Sequence, residues 1–249
     1  TTLMTVDGKS GSQRDLKKGM VVLVNATLTH NYGTNDPPQR TANRLVYEDT
    51  VEGVVQSVAQ DGSNLVVLGQ TVIVNQATII EPTILSKNLL NLVPGRDVLE
   101  VSGFVTGDGV IVGTLIDLKT GPPDYEVKGF IKNHDAAQKI FEIGSLTVDY
   151  RNADLKDMPS QSSNVWNGLL VDVRGNQVSS GGPGPHGVRM SATKVKPEEL
   201  GIEDSEDVEV EGFVTQVLGQ GDFFLGNLHV QTIPGTTFEG GTLNDILVG

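Results

Sequence analysis

Val51-Glu52-Gly53-Val54-Val55, Leu65-Val66-Val67-Leu68-Gly69 and Gln70-Thr71-Val72-Ile73-Val74 are followed by a leucine-bearing segment ending Leu92-Val93-Pro94-Gly95. Asp97-Val98-Leu99-Glu100-Val101-Ser102-Gly103 and Val110-Ile111-Val112-Gly113-Thr114-Leu115-Ile116 then close the stretch. Each run is short, rich in β-branched residues and bounded by glycine or proline. Val98, Leu99 and Val101 show the period of two expected of a strand with one buried face. Five such strands, with one short helix between the third and fourth, suit a small closed barrel, in which an antiparallel sheet keeps no exposed edge. The expected class is all-β, built from tandem OB-like five-stranded barrels; small β-sandwiches of similar strand count are the alternative.

The pattern recurs at a nearly constant period. Gly129 lies 76 residues after Gly53, Gly144 lies 75 after Gly69, and Gly212 lies 83 after Gly129. Upstream, Leu16-Lys17-Lys18-Gly19 followed by Val21-Val22-Leu23-Val24-Asn25-Ala26 repeats the step from Leu92-Val93-Pro94-Gly95 into Val98–Gly103. The expected organisation is the C-terminal half of a module at 1–50, complete modules at 51–123 and 124–200, and the N-terminal half of a module at 208–249. Asn31–Pro38 and Ser179–Gly187 read as turn-rich insertions.

The V-E-G-x-V opening, the G-x-x-V-x-V-x-x-x-T strand, the L-x-x-G-x-x-V-E-V-x-G step and the closing A-T-x-V strand resemble a bacterial family of repeated extracytoplasmic β-modules. That family is catalogued as a domain of unknown function, number five-six-six-six, and the resemblance runs from Lys18 to Gly249. It implies an OB-like fold, tandem modules and an exported protein, extracellular or on a bacterial cell surface. No catalytic residue is carried over with it. The two insertions and the half modules depart from the pattern.

Composition limits the partners. With 18 basic and 31 acidic residues the chain carries a formal net charge of -13 and has a pI near 4.6, a surface that repels phosphate backbones and disfavours nucleic acid. Without cysteine there are no disulfides or thiolate metal sites. No apolar run approaches the ~20 residues that span a bilayer. Because the chain starts at Thr1, it reads as processed or excised, with cell-surface attachment through a missing N-terminal segment as an expectation.

Chemical sites are sparse, and no enzyme is expected. His30, His134, His186 and His229 have no ligand spacing and read as solvated or core-edge residues. Ser179-Ser180 lacks a nucleophile elbow, and the glycines from Gly181 to Gly187 lack the Lys-Ser/Thr ending of a phosphate loop. In the acidic run from Glu198 to Asp207, the residues Glu203, Asp204, Glu206 and Asp207 are candidates for calcium, the one cofactor considered. The spacing is not that of an EF-hand, so a plain acidic linker is the preferred reading. Phe104, Phe130 and Phe213 each follow a repeat glycine and are expected in cores. Trp166 and Tyr150 do not recur and are candidates to line a shallow groove.

The half modules carry the functional expectation. Late strands at one end and early strands at the other amount to one barrel, and each piece alone leaves apolar faces and strand edges open. The expected protein is a non-catalytic extracellular structural subunit whose copies join head to tail by strand complementation, into a filament or surface assembly. The interface would involve Val21, Val22, Leu23 and Val24 at one end, and Phe223, Phe224, Leu225, Leu228, Val230, Leu243, Ile246 and Leu247 at the other. Closure into a ring within one chain, or boundaries set by excision or proteolysis, are the competing accounts. The alternative function is a binding module holding a saccharide, peptide or small ligand in the barrel groove.

Overall fold

The computed structural model describes residues 2–29, 39–159, 166–180, 187–198, 214–225, 228–233 and 235–247. The protein is all-β, and three sheets account for its described strands. The first is partial: β1 (Leu3–Val6), β2 (Lys9–Ser10), β3 (Val22–Thr29) and β4 (Gln39–Tyr47) lie in the order β2-β1-β4-β3.

The next elements are β5 (Val51–Val58), β6 (Asn64–Val67), β7 (Gln70–Ile73), β8 (Ile79–Ile80), β9 (Val98–Val105) and β10 (Ile111–Leu118). β5 pairs antiparallel with β6 and β9, β6 with β7, and β9 with β10; the parallel pairing of β7 with β10 closes the ring. The result is a five-stranded barrel in OB order, with no open edge around its waist. Val51, Val55, Leu65, Val67, Val72, Leu99, Val101, Ile111 and Ile116 fill it. Gly113 and Leu115 flank a bulge that bends β10 around the barrel.

The helix expected between the third and fourth strands is present only as two 3-10 turns, Leu85–Lys87 and Leu89–Asn91. Asn88 ends the first and caps the second, its side chain accepting a hydrogen bond from the Leu90 amide at 3.0 Å. A cap every few residues leaves no run long enough for an α-helix.

The second barrel repeats the order with β11 (Tyr125–Phe130), β12 (Lys132–Asp135), β13 (Ile140–Ile143), β14 (Leu146–Asp149), β15 (Leu170–Ser180) and β16 (Val188–Pro197). β11 and β12 form one strand interrupted at Ile131, and the parallel pair is β14 with β16. The two barrels share a continuous sheet because β5 and β11 pair antiparallel, Val51 opposite Val127. These valines are equivalent in the repeat, so the barrels are related by a local pseudo-twofold axis through that pair. The equivalent hairpins also meet across it: the Ser145 amide donates to the Gly69 carbonyl at 2.9 Å and Gln70 Nε2 to the Ile143 carbonyl at 2.7 Å.

The third sheet, β17 (Val214–Gly219), β18 (Asp222–Leu225) and β19 (Leu228–Gln231), is a three-stranded meander like β5-β6-β7. A 3-10 turn at Leu243–Asp245 follows it. Among the described residues no helix is long and apolar enough to cross a membrane.

Candidate assembly site

β3 and β4 reproduce the last two strands of the first barrel in detail. Val24 lies opposite Leu45 as Val101 lies opposite Ile116. Both hairpins carry a bulge at the matching step, between Asn25 and Ala26 in one and between Gly113 and Leu115 in the other. Thr2 Oγ1 donates to the Ala42 carbonyl at 2.8 Å, two residues before the Leu3–Arg44 pair; Thr78 Oγ1 donates to the Gly113 carbonyl at 2.7 Å, two before the Ile79–Leu115 pair. β1 is therefore the counterpart of β8.

What differs is the lining. Val101 and Ile116 are fully buried, whereas Val24 is 45% exposed and Leu45 only half-buried. In the closed barrel, β10 takes β7 along Ile111–Val112 and β8 along Leu115–Ile116. In the partial sheet, β1 covers Arg44–Tyr47 of β4, while the edge of Gln39–Ala42 turned away from β3 and the outer edge of β3 itself take no strand among the described residues. The β17-β18-β19 meander has the opposite deficit, since neither β17 nor β19 has an outer partner among the described residues. The site is two complementary open edges with incompletely buried apolar faces.

The partial sheet is held to the barrels by polar contacts. The Val21 amide donates to Ser102 Oγ at 2.8 Å, Lys17 pairs with Asp117, and a Cβ at Gly19 would lie 2.8 Å from the Thr114 carbonyl. Just after β4, Glu48 is ringed by cations: Arg174 Nη2 at 3.1 Å, Lys196 Nζ at 3.2 Å and Lys128 Nζ at 3.5 Å. Burial pushes the Glu48 carboxyl up, but Lys128, Lys196 and Arg174 outweigh it and hold the group below its usual range. Arg174 also reaches Glu126 at 3.1 Å, and Lys196 reaches the buried Asp172 at 3.2 Å. Burial and then the neighbouring Asp172 push Glu126 up to about 9, against the pull of Arg174. Between this network and β3 runs a cleft of about 460 Å³, bordered by Leu23, Val46, Phe104, Lys128 and Lys196.

Two sets of three carboxylates have oxygens within 4.8 Å of one another, Glu48-Asp172-Glu198 and Asp49-Glu52-Glu100. Their positive charge already comes from the protein. Lys128, Lys196 and Arg174 serve the first set, and Lys119, at 2.8 Å from Glu52 and 2.7 Å from Glu100, serves the second. The sequence reading passed over both sets, although the alternation of Glu126 and Lys128, and of Asp172 and Arg174, with core valines marked strands whose outer faces are charged.

Of the residues expected at the interface, Val21, Val22 and Leu23 are half-buried and Val24 is exposed. Phe223 is buried inside the third sheet; Leu225, Val230, Leu243 and Ile246 are half-buried and Leu247 is exposed. Phe224 and Leu228 have described strand positions only. The calcium candidates Glu203, Asp204, Glu206 and Asp207 lie outside the described residues, as do His30, His186 and Phe213. Phe130 is in the core as expected, but Phe104 is 42% exposed because Gly103 and Val105 take the inward positions of β9 and leave it facing the cleft.

Trp166 and Tyr150 do not line a groove. Both are buried in the second barrel with Phe141 and His134, whose ring stacks on Trp166 at 4.5 Å. Of the two placements expected for the histidines, solvated or core-edge, His134 takes the core one.

No curated protein and no solved structure matches the chain. The model of the family described as Domain of unknown function (DUF5666) matches residues 52–117, the stretch that forms the first closed barrel.

Proposed function

We propose that this chain is a non-catalytic structural subunit that joins to other copies of itself head to tail. The β1–β4 sheet of one copy and the β17–β19 sheet of the next together form a barrel of the same order as β5-β6-β7-β10-β9. The observation that carries this reading is the pair of matched deficits. β3 and β4 hold the bulge, the register and the lining residues of a closed barrel's last two strands without counterparts of its first three among the described residues of their sheet, and the meander supplies three strands of that kind. Open main-chain edges beside incompletely buried valine and leucine favour pairing. A join between different surfaces at the two ends repeats without closing and gives a linear polymer. In a bacterial setting this would be an extracellular or surface fibre.

Sedimentation velocity over a concentration series tests the reading. The expected result is a mass that climbs in steps of one chain as concentration rises. A single species of one chain's mass at every concentration would overturn it.

A further inference from the structure

The chain contains a third copy of the segment that covers β4. Thr2-Leu3 is followed nine residues after Leu3 by Ser12, and Thr78-Ile79 nine residues after Ile79 by Asn88. Thr232-Ile233 is followed nine residues after Ile233 by Thr242. Each of these last residues is the N-cap of a 3-10 turn. The first and third turns share a full capping box: Asp15 accepts from the Ser12 amide at 2.7 Å, and Asp245 from the Thr242 amide at 2.7 Å. Gly11-Ser12-Gln13-Arg14-Asp15-Leu16 and Gly241-Thr242-Leu243-Asn244-Asp245-Ile246 are one motif written twice.

The first two copies have a strand to lie on. Ile79 pairs with Leu115 of β10, and Leu3 with Arg44 of β4. The third has none among the described residues: Ile233 lies outside any strand and is 71% exposed. A barrel has room for one such segment between its third and fourth strands. In the composite barrel proposed above, two would compete for Arg44–Tyr47: the resident Thr2–Asp15 and the neighbour's Thr232–Asp245, which is continuous with the incoming β19.

We infer that residues 2–15 are a stand-in that covers β4 in the single chain and is exchanged for residues 232–245 of the next copy when subunits join. The inference rests on the head-to-tail reading and adds a gate to it. While β1 is in place β4 is only partly available, so the apparent affinity of the joint is reduced by the fraction of chains in which β1 has lifted.

The absence of cysteine allows a clean test in the full chain. Thr5 and Val46 are cross-strand partners in β1 and β4, and Thr5→Cys with Val46→Cys would lock β1 down when oxidised. The oxidised chain should join at least about tenfold more slowly than the same chain reduced. Equal rates in both redox states would overturn the exchange while leaving head-to-tail joining intact; failure of the unsubstituted chain to join would overturn both. Independently, a chain with Ile233→Cys mixed with one carrying Arg44→Cys should yield a disulfide-linked dimer. Its absence from joined material would place the neighbour's segment elsewhere and overturn the exchange.

Discussion

Trp166 and Tyr150 show what single residues conceal in a sequence. They belong to no repeated position, so periodicity assigned them no face, and a lone tryptophan in a turn-rich stretch resembles a ligand platform. In the structure Trp166, Tyr150, Phe141 and His134 form the aromatic end of the second core, and Trp166 Nε1 donates to the Pro159 carbonyl at 3.0 Å. Trp166→Ala should cost about 3–5 kcal/mol of unfolding free energy in denaturant titrations. His134 bonds Tyr150 Oη through Nε2 at 2.8 Å, and its Nδ1 has no partner among the described residues. Burial pushes its pKa below 6.5, so the unfolded chain takes up a proton that the folded one resists. Stability is therefore present above about pH 6.5 and lost as the pH falls from there toward the folded value. His134→Gln should flatten that part of a Tm-against-pH curve.

Glu126 carries the opposite sign. Its carboxyl holds a proton up to about 9 in the folded chain, whereas the unfolded chain releases it near 4.5. It thus erodes stability as pH rises between those values. Glu126→Gln should leave stability unchanged at pH 4 and raise it at pH 8. Arg174→Met, which leaves Asp172 and Glu48 among fewer cations, should cost about 3 kcal/mol at neutral pH.

At the level of elements, alternation and turn glycines were enough to read the strands of the first barrel from Val51 to Leu118. The helix was not legible correctly, because Asn88 looks like any loop residue until its side chain is seen dividing the segment into two caps. The parallel pairings of β7 with β10 and of β1 with β4 were also hidden, since apolar period does not say which strand lies alongside. Nor did glycine spacing alone reveal that Gly69 and Gly144 touch. Gly144 has φ of +56°, and a Cβ there would lie 2.8 Å from the Gly69 carbonyl. Gly144→Ala should therefore cost about 2 kcal/mol, and Gly62→Ala, at a hairpin with open space around it, should cost less. Edge strands that avoid pairing carry lysine or proline, and β3 carries valine at Val22 and Val24. Val24→Lys should leave the chain's own unfolding within about 0.5 kcal/mol of the unsubstituted value and abolish growth in sedimentation.

Across the whole molecule, glycine period was sufficient to divide the chain, because each module repeats its turns at fixed spacing. The sequence could not give the pseudo-twofold contact between the barrels or the charged mount around Glu48, since both arise from residues more than seventy positions apart. That mount matters to assembly. With Glu48 tied to Lys128, Arg174 and Lys196, the open edge of β3 and β4 is held on the two closed barrels, and a joint made there has a defined direction.

The register of the closed barrel specifies the joint closely enough for one direct measurement. Ile73 lies opposite Val112 in the first barrel, and the same alignment sets Gln231 of one copy opposite Thr41 of the next. A chain carrying Thr41→Cys is mixed with one carrying Gln231→Cys under mild oxidation, and the products are weighed by mass spectrometry. The account predicts a disulfide dimer containing one chain of each kind, and an intrachain bond in the doubly substituted chain only as a minor product. No mixed dimer, or a doubly substituted chain that closes wholly on itself at high dilution, would contradict it.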